Sequence, residues 1–197
     1  VEAMSQPDIR TKILSEDPVK QSTFPLIHRI LFTQMFRLGS PANYAPSPEE
    51  SISAMAQNSG VTPQEMAYDI LLENQGRGFI YAPLVNYANY TMDACAEMLD
   101  DPYSIMGLGD GGAHVGFILD AGYPTWLINY WNQTQKRYSV EETVRRLTSD
   151  TAKAVGLFDR GRIAVGLKAD FNVIDWSSVR AGDPYLISDL PAGGSRL

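Results

Sequence analysis

Three capping boxes fix where helices begin in this chain, and the apolar runs between them restrict what those helices can pack against. Ser47-Pro48-Glu49-Glu50 and Thr62-Pro63-Gln64-Glu65 each place a hydroxyl before a first-turn proline, with a glutamate three residues on. The hydroxyl accepts from the third backbone N–H and the glutamate reaches back to the cap. Proline fits there because its missing N–H would have no helical partner. Ser139 and Glu142 repeat the device. These signals predict a helix ended by Gly60, and a second with Met66, Ile70 and Leu71 as its buried stripe. A third, over residues 140–155, is stopped by Gly156.

Weaker signals complete the order. Pro7-Asp8 opens a short helix, and residues 24–36 are apolar and aromatic, helical or irregular. Residues 39–46 are a loop by their turn residues. Phe79-Ile80-Tyr81-Ala82 reads as a strand. A second strand begins at Tyr103-Ser104-Ile105-Met106 and ends at Leu108, and helices fall near 92–99 and 123–133. Strands separated by helices imply an α/β fold with parallel pairing. From Asp159 the texture changes to short strands, Arg162-Ile163-Ala164 and Phe171 to Trp176, joined by Gly166-Leu167-Lys168-Ala169-Asp170. There is no internal repeat and no low-complexity tract.

Composition removes several classes of function. The chain has 197 residues, 44% of them hydrophobic, and a net charge of -7. That is long enough to bury a core, and too acidic to attract nucleic acid or an anionic membrane. Lys136-Arg137 and Arg145-Arg146 are isolated pairs that read as solvated helix faces. No segment has the ~18 apolar residues of a membrane span. The single cysteine, Cys95, allows no intrachain disulfide, which fits a reducing cytoplasm. It shares an apolar helix side with Met92 and Leu99, the setting of an inert thiol. The N-terminus lacks a signal-peptide layout and an initiator Met, so we expect the natural protein to continue upstream.

The chemistry concentrates in Gly107-Leu108-Gly109-Asp110-Gly111-Gly112-Ala113-His114. This glycine-rich turn puts one carboxylate and one imidazole after an apolar run, and glycines let the backbone come close to a ligand. Gly107, Gly109 and Gly112 also match the G-x-G-x-x-G of dinucleotide sites. The context argues against that reading. The third glycine does not open a helix, Pro124 marks the next helix start, and Ile128-Asn129-Tyr130-Trp131 stands where an acid at a strand end is needed. A plainer alternative stays open, in which Asp110 caps a turn and His114 is an ordinary loop histidine.

Gly109-Asp110-Gly111-Gly112-Ala113-His114-Val115 resembles the S-D-G-G-A-H signature of the N-acyl-D-amino-acid deacylases (D-aminoacylases), metal-dependent members of the amidohydrolase superfamily. Leu147-Thr148-Ser149-Asp150-Thr151-Ala152 is similar to that family's helix after the last barrel strand. Gly156 to Ile163, Gly166 to Phe171 and Asp189-Leu190-Pro191-Ala192-Gly193-Gly194 are similar to its return into a β-sandwich. Phe36-Arg37-Leu38-Gly39 and Asn43-Tyr44 match more loosely. The likeness covers about residues 36–197 and is densest from 104 to 194.

The resemblance implies the C-terminal portion of a (β/α)8 barrel: about the last two strands and their helices over 1–158, and a truncated β-sandwich segment over 159–197. It implies that Asp110 sits at the end of the last barrel strand, ligates or faces zinc, and acts as general base toward the metal-bound water. Zinc lowers the pKa of such a water to about 7, and a nearby carboxylate can take its proton. The expected reaction releases a carboxylate and a free D-amino acid from an N-acyl-D-amino acid. His114 and Arg37 are candidate substrate contacts, Arg37 as a fork-shaped donor to a carboxylate.

Two departures qualify the resemblance. Gly109 stands where serine is usual, and the family's metal-binding histidines are missing, since the chain has only His28 and His114. A catalytic zinc generally takes three protein ligands, and His28 lies in an apolar stretch that suits a core or surface histidine. The chain alone is therefore expected to bind zinc weakly and to be inactive. A hydrolase of cyclic amides, or a non-catalytic binding or assembly protein on the same fold, is the alternative. Strands cut from a barrel expose edges, so self-association, or cover from residues 1–46, is expected.

Overall fold

A computed structural model of the chain describes residues 1–16, 31–107, 109, 116 and 118–197. They form two compact units, Val1–Cys95 and Ala96–Leu197.

The first unit holds α1 (Pro7–Ser15), β1 (Phe36–Leu38), α2 (Ile52–Ser59), α3 (Pro63–Gly76) and β2 (Phe79–Tyr81). The Thr62 box forms as expected: Thr62 Oγ1 accepts from Glu65 N at 3.2 Å, and Glu65 accepts from Thr62 N at 2.8 Å. The Ser47 box also forms, but it opens only a single 3-10 turn, Pro48–Glu50. Ser51 then caps α2 by accepting from Ala54 N, and Gly60 ends that helix at φ 68. Within α3, Ile70 is buried as expected, whereas Leu71 is exposed, because the stripe follows Met66 to Ile70 at one-turn spacing.

β1 pairs with β2 antiparallel, Phe36 opposite Tyr81 and Leu38 opposite Phe79. This corrects two expectations. Phe36 belongs to a strand rather than to a helical or irregular segment, and the strand pair of this unit is antiparallel. The physical cause lies at the end of α3, where Glu73 leaves helical geometry and Asn74, Gln75 and Gly76 take positive φ, reversing the chain before β2. Gly78 follows in close contact with α3, so that a Cβ there would collide with the Ile70 carbonyl oxygen.

The core of this unit is aromatic. Phe36 is buried and meets the rings of Tyr81, Tyr87 and Tyr90 at centroid distances of 6.4, 6.4 and 6.3 Å, the latter two edge-on. Edge-to-face contact is favoured by the ring quadrupoles. Each of these tyrosines also donates its hydroxyl to a carbonyl: Tyr87 to Pro46 at 2.6 Å, Tyr90 to Thr33 at 3.0 Å and Tyr81 to Tyr44 at 3.4 Å. The loop chain is thus fastened to the strand pair by phenols rather than by a wider sheet.

α4 (Asp93–Asp100) crosses the boundary between the units. The second unit continues with α5 (Tyr123–Trp126), a π-helix over Leu127–Thr134, α6 (Val140–Leu147) and α7 (Ser149–Ala154). The Ser139–Glu142 box starts α6 as expected. The single helix expected over 140–155 is two, broken at Thr148 (φ -126, ψ -83). Thr148 donates its hydroxyl to Val144 O at 2.6 Å, a back-bond that bends helices. Leu127, Ile128, Trp131, Tyr138 and Ala152 form the buried apolar core.

The strands expected in this unit are absent among the described residues. Residues 103–107 are irregular, and Tyr103 is 98% exposed. Asp101 accepts from Tyr103 N at 2.7 Å, a local turn bond that competes with extended pairing. Residues 162–164 and 171–175 make no ladder, and Val165 and Val173 are fully exposed. A strand is stable only when a neighbour satisfies its N–H and C=O groups, and no described segment pairs with these in a ladder. The described residues are mixed helix and strand with a two-stranded sheet.

Gly78→Ala is expected to destabilise the chain by about 1–3 kcal/mol, the usual cost of forcing extra volume into a packed position. Gly39→Ala, where a Cβ meets nothing within 4 Å, should be near neutral. Urea unfolding followed by far-UV circular dichroism distinguishes the two.

Candidate functional site

Of the sequence-derived site residues, Asp110, His114 and His28 lie outside the described residues. What is described is the chain on either side of the signature. It enters through the irregular stretch to the exposed Gly107 and leaves through the turn at Gly116. A 3-10 turn, Asp120–Gly122, then leads into α5, with Pro124 in its first turn as the sequence required.

The helix that follows is wound wide, as a π-helix. π segments are uncommon and recur near functional sites. Here the buried Asn132 is its polar anchor. Its Nδ2 donates to Tyr138 O at 2.8 Å, and its Oδ1 accepts from Trp176 Nε1 at 2.9 Å. Gln133 Nε2 donates to the Trp176 carbonyl. Both groups of the amide are therefore satisfied, as burial of a polar side chain demands, and the otherwise irregular 171–178 segment is pinned at its tryptophan.

A second polar cluster gathers around Asp100 at the end of α4. Its carboxylate accepts from Arg137 Nη2 and from Tyr138 Oη, the latter at 2.7 Å, and lies 3.9 Å from Arg146 Nη2. Arg146 donates to Leu99 O at 2.5 Å and lays its guanidinium 4.2 Å from the centre of the Tyr138 ring. The Arg146 Nε is buried with no partner. The hydrogen bond from Arg137, then that from Tyr138, holds the Asp100 carboxyl below its usual range. Burial, then the bond to Asp100, pushes the Tyr138 phenol up. Both shifts keep the pair as carboxylate and phenol. Sequence reading missed this cluster, whose bonds join the end of α4 to residues 37 to 47 positions further along the chain. The local signs were the Lys136-Arg137 and Arg145-Arg146 pairs, both read as solvated; Arg145 is exposed and meets Asp150 at 3.1 Å, whereas Arg137 and Arg146 turn to Asp100 and to the Leu99 carbonyl.

Arg37 occupies the centre of β1, opposite Ile80. Its Nε donates to Glu73 Oε2 at 2.8 Å, in the turn that ends α3. The fork proposed for a substrate carboxylate is thus already engaged along one edge by a carboxylate of the protein. Cys95 is half-buried with its thiol 3.8 Å from Asn86 O, and desolvation pushes its pKa up, as an inert thiol requires. No group of three or more His, Cys, Asp or Glu side chains able to hold a metal occurs among the described residues. Those residues by themselves do not fit a zinc centre. No helix among them is long and apolar enough to cross a membrane.

The sequence model of the Amidohydrolase family matches residues 39–190. That span covers most of the chain and includes the Asp110 turn, the Asp100 cluster and the π-helix, so the chain belongs to the amidohydrolase family and stands among its hydrolases. Members of this superfamily are generally metal-dependent. No curated protein and no solved structure matches the chain.

The depressed Asp100 pKa has a definite pH signature. Its contribution is present above the usual carboxyl value of 3.8 and is lost as pH falls through the lower folded value. Trp126, Trp131 and Trp176 all lie in the second unit and report its unfolding. Asp100→Asn should lower stability at pH 7 by about 1 kcal/mol, the upper end for a solvent-exposed ion pair. It should also flatten the acid limb of a tryptophan-fluorescence stability curve.

Proposed function

We propose that this chain carries the proton-transfer carboxylate, Asp110, of an enzyme that hydrolyses N-acyl-D-amino acids. The observation that carries the reading is the run Gly109-Asp110-Gly111-Gly112-Ala113-His114-Val115, which lies inside the family-matched span. The similar runs at Leu147–Ala152, Gly156–Ile163 and Asp189–Gly194 support it.

In this reading Asp110 accepts a proton from the attacking water as its oxygen bonds to the acyl carbon. The same carboxyl then returns the proton to the nitrogen as the C–N bond breaks. The products are a carboxylate and a D-amino acid, and the carboxylate is regenerated for the next cycle. One group serves as base and then acid because the proton it takes is the one the leaving amine needs. Zinc is the metal this reading implies. With two histidines in the chain, we assign the remaining ligands to protein outside these 197 residues. His114 is proposed to border the substrate.

The test has two arms. The 197-residue chain with added zinc is expected to bind the metal weakly, by calorimetry, and to release no amine from N-acetyl-D-amino acids. The gene product as encoded, carrying its full ligand set, is expected to deacylate the D series and spare the L series. In it Asp110→Asn should lower kcat by roughly 10²- to 10⁴-fold, the range of positioned proton transfer. Retained activity in that variant, or preference for cyclic amides, would overturn the assignment.

A further inference from the structure

We propose that α1 is a salt-sensitive strap on α3, latched by Arg10 and free to leave without unfolding the unit beneath it. None of the residues of α1 is buried, and its N-cap, Gln6, makes no side-chain capping bond. A nine-residue helix whose apolar contact is limited to the half-buried Ile9 and Leu14, and which has no side-chain cap, has little reason to persist in water by itself. Its polar ties gather on one side chain. Arg10 Nη2 donates to both oxygens of Asp69, at 3.2 and 3.1 Å, and Nε donates to Oδ1 at 3.3 Å. Arg10 Nη1 lies 3.6 Å from Glu65 Oε1. The same guanidinium stands 5.8 Å from the centre of the Tyr68 ring.

Asp69, Glu65 and Tyr68 lie within one turn and a residue of each other on α3, so a single fork reads one patch of that helix. A further polar tie is Tyr68 Oη, which donates to Met4 O at 2.7 Å. The partners are themselves partly solvent-exposed, with side-chain exposures of 31% for Arg10 and 56% for Asp69. Pairs of this kind are screened by salt and weak singly. Ionic strength therefore weakens the charged part of the docking, the Arg10 pairs, and leaves the aromatic core of the unit untouched.

The latch can be broken without damaging α3. Glu65 serves the Thr62 capping box through Oε2, whereas it faces Arg10 through Oε1. Substitution at Arg10 leaves that cap intact.

Hydrogen exchange of the whole chain, read by mass spectrometry, tests the proposal. Arg10→Ala should speed exchange of the α1 amides by about 3- to 30-fold, as expected for losing one or two exposed pairs and a cation–π contact. The unsubstituted chain in 0.5 M NaCl should shift the same way, with amides of α2 unchanged. Reversing the charges, Arg10→Glu with Asp69→Arg, should recover much of the protection. Unchanged α1 exchange in Arg10→Ala, or insensitivity to salt, overturns the latch. Parallel acceleration of α1 and α2 overturns the strap, because α1 would then belong to the cooperative core.

Discussion

In the second unit one carboxylate joins the end of α4 to the turn before α6 and to α6 itself. Asp100 draws in Arg137 and Tyr138 from the turn before α6 and stands near Arg146 from within it. The cluster closes on itself, since the Arg146 guanidinium covers the ring whose hydroxyl Asp100 holds. Tyr138 in turn offers its carbonyl to Asn132, so the carboxylate and the buried amide of the π-helix meet at one residue. Hydrogen bonds to a charged acceptor are stronger than neutral ones. Asn132 and Trp176 extend the same chain of bonds to the segment that carries the β-unit motifs.

What was legible in the sequence was what is settled within a few residues. Thr62 with Glu65 and Ser139 with Glu142 form as read, because a capping box needs nothing beyond its own turn. Gly60 and Gly156 end their helices with positive φ for the same local reason. Strands depend on a partner that periodicity does not name. Phe36–Leu38 became a strand because Phe79–Tyr81 lies beside it. Phe171 to Ile174 is as apolar as either, yet finds no such neighbour among the described residues and stands in water. The Asp100 cluster was invisible because its members are distant in sequence and ordinary in type.

The candidate site divides in the same way. Asp110 and His114 were recognised by a contiguous run of residues, which needs no three-dimensional information. Arg37 was singled out for its chemistry alone. The fold supplied the missing fact, that α3 breaks at Glu73 and delivers a carboxylate to its Nε. An arginine already engaged on one edge is a more rigid donor than a free one, though with a carboxylate of the protein already opposing its charge.

The π-helix over Leu127–Thr134 bears on how this chain tolerates insertion and loss. A π turn is an α turn carrying one residue too many, closed by i to i+5 bonds. Removing one residue would let the backbone relax to the commoner helix. It would also swing everything after it by about 100° about the axis, the angle one residue occupies at 3.6 per turn. Asn132 would no longer address both Tyr138 and Trp176. A change that eases the local backbone would thus disconnect the network built on its distortion, which makes this short segment the place where length matters more than composition.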